Sequence, residues 1–593
     1  MRNLKVILSI GLILIITFIA FFPCLKNGFI NWDDDRYVTE NTIVQNLSLE
    51  SVRQVFASFF VGNYQPLTML SYLIDYRFSK LNPLGYHLTN LILHLLNSLL
   101  VFWLIYILTR KISVSLITAV LFGIHPLHVE SVAWISERKD LLYALFFLGA
   151  IISYLLYLKK ENKQRYYYMS IFLFLLSLLS KSMAITLPLV LFLIDYFVKR
   201  KPNKTSLLDK IPFFILSFIF GIIAILGQVS SGAVRGEGIV SFLNKIAIAG
   251  YGIVFYINKL LLPVKLSCAY PYFEIKNIFL FLYPLIIFII FLVAVILSTR
   301  YTKKFIFGGA LFLITIMPVL QFIPIGETVV ADRYIYIASI GIFYIVGEGI
   351  FWLFTNKIRH LRLAQAFTLI LLVMIAVVLA SLTWQRCQVW KDNIALWSDV
   401  LNKYPNVATA YNSRGAEYLV KKDYANAYAD FMSTLNIDQK YYEAYFNLGS
   451  LYSSKGNYNE AAKFINKTLE INPTYLKAYD LLTAIYGRTG KHSEVIRICK
   501  RAIQIKHDYI PAYINLCSAY GNLGDFQEAI VYGEKAIAID PKSALANMNL
   551  SIAYFYAKKY DLAIKHCDMA IALGHKVCPK FLEDLKKASR HQN

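Results

Sequence analysis

Up to about residue 384 the chain is a succession of apolar stretches separated by clusters of lysine and arginine, and this pattern confines that part to a lipid bilayer. A crossing helix needs about 20 mostly apolar residues. Candidate spans run over 4–23, 86–109, 112–125, 141–158, 167–181, 183–198, 211–229, 277–298, 305–323, 334–354 and 363–383. Charged residues make up only 16% of the chain, against about 25% in a soluble domain. Arg2 and Lys5 precede the apolar run Val6–Pro23, and no small-x-small cleavage site follows it. The run therefore reads as an uncleaved first span and not as a signal peptide.

Positive clusters mark cytoplasmic loops. Arg110-Lys111, Lys159 to Arg165, Lys199 to Lys204, Arg300 to Lys304 and Lys357 to Arg362 all fall inside if eleven spans start from an internal N-terminus. The apolar stretch 240–262 then lies at the outer interface or re-enters. The outer side receives loops 24–85, 126–140, 230–276 and 324–333, and everything after about 384. The net charge of +23 follows from this topology and from attraction to anionic headgroups. No basic block is interleaved with aromatic residues in a soluble module, so no nucleic-acid partner is expected. The seven cysteines show neither CxxC nor zinc-like spacing and read as structural.

From 408 onward the sequence repeats itself every 34 residues. Tyr418, Tyr452, Tyr486, Tyr520 and Tyr554 fall in one column, and Ala427, Ala461, Val495, Ala529 and Ala563 in another. This resembles the tetratricopeptide repeat. Small residues let paired helices approach, and stacked pairs bury a continuous core behind a concave face suited to a protein partner. Five repeats are expected over 408–576, then a capping helix and tail over 577–593, with 385–407 as a linker after a membrane domain at 1–384. The fold class is all-α: a polytopic helix bundle followed by an α-solenoid.

Three polar clusters meet the outer interface, where charged residues are functional candidates. The first is Asn31-Trp32-Asp33-Asp34-Asp35-Arg36-Tyr37. Adjacent carboxylates repel one another, which raises at least one pKa and suits a general base. Asp33 and Asp35 can alternatively hold a divalent metal. The second cluster holds His125, His128, Glu130, Glu137 and Arg138. Pro126 interrupts the helical spacing that a zinc HExxH site requires, so hydrogen bonding within the loop is expected instead. The third is Glu327-Thr328 leading to Asp332-Arg333-Tyr334. Arg333 can pair with a phosphate or anchor a helix end at the headgroups.

Trp32-Asp33-Asp34, the segment HPLHVESVAWISERKDLL from His125, ADRYIYIASIG from Ala331, and Thr383, Arg386, Trp390 and Asp392 together carry a resemblance. They resemble, in order and over nearly the whole chain, signature segments of the transmembrane and tetratricopeptide repeat-containing O-mannosyltransferases and their bacterial relatives. These belong to the GT-C class of membrane glycosyltransferases. The resemblance implies a polyprenyl-phosphate sugar donor, inverting transfer and a Ser or Thr hydroxyl of a protein as acceptor. It places the general base at Asp33 or Asp34 and the donor phosphate at Arg138 and Arg333. Asp35, His125, His128, Glu130, Glu137, Asp332 and Tyr334 support the site, and no cofactor is required. The expected location is a bacterial cytoplasmic membrane with the repeats outside; the alternative is an endoplasmic reticulum membrane with lumenal repeats. Rival readings are a transferase acting on a lipid or glycan, a transporter using Lys181, Asp195 or Glu348, and a non-catalytic repeat scaffold.

Overall fold

A computed structural model describes residues 2–159, 163–232, 242–271, 278–300, 302–321, 328–358 and 361–590. Glu327 and the first residues of the 240–262 stretch lie outside them. The chain divides into two compact units, Met1–Pro405 and Asn406–Asn593. Described residues are helical apart from turns, loops and two isolated β-bridges.

The first unit contains α1 (Arg2–Phe21), α2 (Leu49–Ala57), α3 (Pro66–Ser79), α4 (Pro83–Thr109), α5 (Ile112–Ile124), α6 (Val129–Ala133), α7 (Arg138–Lys159), α8 (Lys163–Ser180) and α9 (Leu187–Phe197). It continues with α10 (Lys204–Leu208), α11 (Ile211–Ser230), α12 (Phe242–Leu261), α13 (Ile278–Leu297), α14 (Lys303–Ile316), α15 (Ser339–Trp352), α16 (Arg362–Val389) and α17 (Asn393–Lys403). Each of the eleven expected spans contains a helix among the described residues. Six are long and apolar enough to cross a bilayer among the described residues, and α5 with α6 makes a seventh across a 53° bend. The other four, α8, α9, α13 and α14, do not all reach across: the 14 residues of α14 rise about 21 Å, against a hydrocarbon core of about 30 Å. Burial differs in the way a bundle requires. The best apolar window of α7 is 61% buried, whereas those of α11 and α16 are 11% buried and expose their apolar side chains to lipid.

The bend between α5 and α6 has a local cause. Pro126 has no N–H to donate, and the His125 ring accepts the Leu127 N–H instead. The α14–α15 contact depends on glycine. A Cβ on Gly341 would stand 2.2 Å from the Gly308 carbonyl oxygen and 3.0 Å from the Phe312 nitrogen, the backbone-to-backbone approach that small residues permit between membrane helices. Gly341→Ala is expected to cost about 1–3 kcal/mol by overpacking, read as a lower Tm in detergent. An unchanged Tm would mean that the two helices are not in contact.

One boundary differs from expectation. The stretch 385–407 is no free linker: α16 runs on to Val389, and α17 follows with Trp397 buried, Trp390 being buried in the turn between them. Two tryptophans seven residues apart carry enough apolar surface to dock this segment on the membrane unit.

The second unit holds five helix pairs. First helices begin at Ala408, Tyr442, Leu476, Ile510 and Ala544, and second helices at Tyr424, Tyr458, His492, Phe526 and Tyr560. Gly449 allows close pairing, since a Cβ there would meet Ile465 at 2.4 Å. Tyrosines fill the spaces left by small residues: Tyr520 stacks on Tyr532 at 5.5 Å. A final helix, Pro579–Arg590, closes the stack through Leu585 and a Phe581–Phe555 contact.

Candidate functional site

The acidic loop after α1 is held by the far end of the same unit. The Asn27 side chain donates to the Cys387 carbonyl at 3.1 Å, and the Gly28 N–H to that of Lys391 at 2.9 Å. The Asn31 N–H donates to the Asn393 side chain at 2.7 Å, and Trp397 Nε1 donates to Asn31 Oδ1 at 2.8 Å. Trp32 stacks on Trp134 with centroids 4.7 Å apart, and Trp397 lies 5.3 Å away on a tilt.

Within this frame the neighbouring aspartates have different environments. Asp34 is fully buried and accepts the Ile30 N–H at 2.8 Å, the Ser136 N–H at 2.9 Å and the Ser136 hydroxyl. It ties the loop to the turn before α7. Burial pushes its carboxyl up to about 7 against the pull of those hydrogen bonds. Asp33 keeps partial exposure. Burial raises its pKa; Lys139 opposes that rise, Glu137 adds to it, and Arg36 and Arg333 also lower it. Asp33 is therefore the more accessible carboxylate, and cations face it. Asp35 begins the next turn and is half-buried. No group of three or more His, Cys, Asp or Glu side chains placed to hold a metal occurs among the described residues.

Facing Asp33 is a charge network. The Arg333 guanidinium pairs with Glu130 and, at 3.2 Å, with Glu137. It lies 5.4 Å from the Trp134 ring centroid and 5.0 Å from that of Tyr334. Lys139 Nζ is 3.0 Å from Glu137, and Lys181 Nζ is 3.5 Å from Glu137 and 2.6 Å from Asp140. Glu137 thus gathers three cations. Each retains a little solvent contact, with 14% of the side chain exposed for Arg333, 13% for Lys181 and 9% for Lys139. Such a group can stabilise negative charge that develops beside Asp33.

Arg138 does not join it, which corrects the expectation that it binds a donor phosphate. Its side chain is fully buried and reaches Asp75 at 2.6 Å, Asn90 at 2.8 Å, the Tyr86 carbonyl at 3.0 Å and the Ser71 hydroxyl at 3.2 Å. Glu137 and Lys139 flank it in sequence, and the helical turn sends Arg138 to the other side, where it braces α3 and α4 against α7.

The histidines are also structural. His128 bonds the Phe122 carbonyl at 2.7 Å and the Ser339 hydroxyl at 3.1 Å, and His125 bonds the Leu260 carbonyl at 3.1 Å. Both are buried around the α5–α6 bend. Asp332 accepts from the Tyr270 hydroxyl at 2.7 Å, and burial raises its pKa to about 6 while Arg386 and Tyr270 oppose the rise. Arg386 in turn pairs with Asp399 at 2.6 Å, and Lys403 with the same carboxylate at 2.5 Å.

The sequence pattern does not single out four contributors. Lys181 reads only as a charge inside a span, and Asn393, Trp397 and Asp399 fall in the expected linker. The Trp390–Trp397 spacing was the available signal for the second group.

Family models described as tetratricopeptide repeat match residues 442–475 and 510–543. The chain is 23% identical over 461 residues to Protein O-mannosyl-transferase F38B6.6 of Caenorhabditis elegans, covering 72% of this chain and 62% of that one. It is 25% identical over 419 residues to Protein O-mannosyl-transferase TMTC3 of Mus musculus, covering 63% and 44%. The chain thus spans less than two thirds of the length of these relatives. A crystal structure of MamA protein is 25% identical over 29% of this chain and 98% of that one, with a TM-score of 0.26. The repeat unit, Asn406–Asn593, is too short to account for an alignment of 461 residues, so the likeness reaches well into the membrane unit. The chain is a membrane protein with tetratricopeptide repeats, related to the transmembrane and tetratricopeptide repeat-containing O-mannosyltransferase family.

Proposed function

We propose that this protein is a membrane glycosyltransferase that moves a sugar, mannose by analogy with its relatives' names, from a polyprenyl-phosphate donor to a Ser or Thr hydroxyl of a protein. One observation carries the reading: a partly exposed carboxylate, Asp33, faces Arg333 and Lys139, which Glu137 gathers together with Lys181. Asp33 takes the acceptor's proton as its oxygen bonds to the anomeric carbon. The bond from that carbon to the phosphate oxygen breaks, and the configuration inverts. The transition state is oxocarbenium-like. Arg333, Lys139 and Lys181 stabilise the charge that grows on the departing lipid phosphate. In this reading Asp34 and Glu137 position the groups that act, and the repeats hold the acceptor protein, which raises its local concentration. In this reading the membrane is a bacterial cytoplasmic membrane, the alternative being an endoplasmic reticulum membrane with the repeats in the lumen.

The test incubates the purified full chain with polyprenyl-phosphate mannose and Ser/Thr-containing proteins from the same cells. Mass spectrometry is expected to find a single hexose on a hydroxyl side chain. Hexose on a lipid or glycan, with none on protein, would replace the acceptor class; no transfer at all would end the reading. Because three side chains supply the positive charge, EDTA is expected to leave the rate unchanged, and a loss restored by Mg²⁺ or Mn²⁺ would assign a metal instead. The pH profile is a second check. Burial raises the Asp33 pKa, so the base form is lost on acidification above the ordinary value of 3.8, and the acid limb of the rate should lie above that value.

A further inference from the structure

At the opposite end of α4 and α5 from the acidic loop, a cavity of about 610 Å³ opens between α1, the α4–α5 turn and the end of α15. Its lining includes the cations Lys5, Arg110 and Lys111 and the apolar Leu8, Leu116 and Phe351, with Lys111 Nζ 4.0 Å from the Phe351 ring centroid. The turn that presents the two adjacent cations is tight. Arg110 caps α4 in the left-handed conformation, φ +59°, and donates its N–H to the Tyr106 carbonyl.

The charge here does not balance. Lys111 Nζ and Lys304 Nζ share one carboxylate, Glu348, at 3.0 and 2.7 Å. Lys159 is close by, its Nζ on the Ile107 carbonyl at 2.8 Å. With Arg110 and Lys5 of the cavity lining, these residues make five cations and one acid. An anion entering the cavity relieves that repulsion. The apolar wall continues into the lipid-facing side of α1, where Leu4 is 60% exposed and Leu8 63% exposed. Free phosphate has no use for such a wall, whereas acyl chains do.

We propose that this cavity binds the phosphate headgroup of an anionic phospholipid from the inner leaflet, with Lys5 and Arg110 on the headgroup and the chains along Leu4 and Leu8. Basic pockets between membrane helices on the cytoplasmic side take such headgroups. The site is independent of the transfer reaction, and its test does not use activity.

The full chain, purified in a zwitterionic detergent, is titrated with dioctanoyl phosphatidylglycerol, with dioctanoyl phosphatidylcholine and with inorganic phosphate. Bound lipid is read by native mass spectrometry and as a shift in Tm. Phosphatidylglycerol is expected to stay bound and raise the Tm, while the other two do neither. Lys5→Gln with Arg110→Gly should weaken binding about 30-fold, the equivalent of about 1 kcal/mol for each of the two surface cations removed. Glycine suits the positive φ, so the lipid-free Tm should hold. If the double variant fails to fold, Lys5→Gln alone gives the same reading from an exposed side chain. Equal binding of phosphatidylcholine, or undiminished binding by the variants, would overturn the proposal. Stabilisation by inorganic phosphate as strong as by phosphatidylglycerol would make this a phosphate site and overturn the lipid assignment.

Discussion

Asp33→Asn is expected to lower sugar transfer by about 10²–10⁴-fold, the usual contribution of a general base, and to leave the Tm of the purified protein unchanged. Asparagine keeps the shape of the side chain but carries no charge toward Lys139 and Arg333 and cannot accept a proton. Asp34→Asn should do the reverse. Its buried carboxylate accepts three hydrogen bonds, from Ile30 and from both donors of Ser136. An amide there turns its own N–H groups toward one of those donors. An unsatisfied buried polar group costs about 1–3 kcal/mol, so the Tm falls and activity follows only as the loop loosens. Measuring rate and Tm side by side for both variants separates the roles. A wild-type rate in Asp33→Asn would remove Asp33 from the chemistry. A stable but inactive Asp34→Asn would move the base one residue along.

The second large effect is on stability. Arg138→Met is expected to cost about 3–5 kcal/mol, the usual result of removing one partner of a buried ion pair. It strands the Asp75 carboxylate beside a fully buried site and leaves Asn90 and the Tyr86 carbonyl without their donor. Replacing both partners, Asp75→Leu with Arg138→Met, should recover much of the loss, because no uncompensated charge remains. A donor-binding Arg138 makes the opposite forecast: an unchanged Tm and a weaker affinity for the lipid-phosphate sugar.

These forecasts mark where the sequence was legible. The repeats could be read from their period because each unit makes mainly the same local contacts: Ala408, Tyr442, Leu476, Ile510 and Ala544 open equivalent helices. The apolar stretches were equally plain, since a bilayer demands composition before anything else. The acidic loop announced itself as a cluster. What separates Asp33 from Asp34 did not, because it depends on Ser136, 102 residues away. The direction of Arg138 was hidden for a related reason: the phase of a helix after an irregular turn decides which of three adjacent charged residues faces the site. Residues 385–407 read as a linker because the partners of Cys387, Asn393 and Trp397, which are Asn27 and Asn31, sit more than 350 positions upstream.

That last clasp governs where the molecule can be divided. A fragment ending with the final apolar span would omit Asn393 and Trp397, so the Asn31 amide and the Trp32 ring would face solvent on one flank. A self-sufficient membrane half has to run through Pro405, and shorter versions are expected to insert into lipid yet present a slack loop.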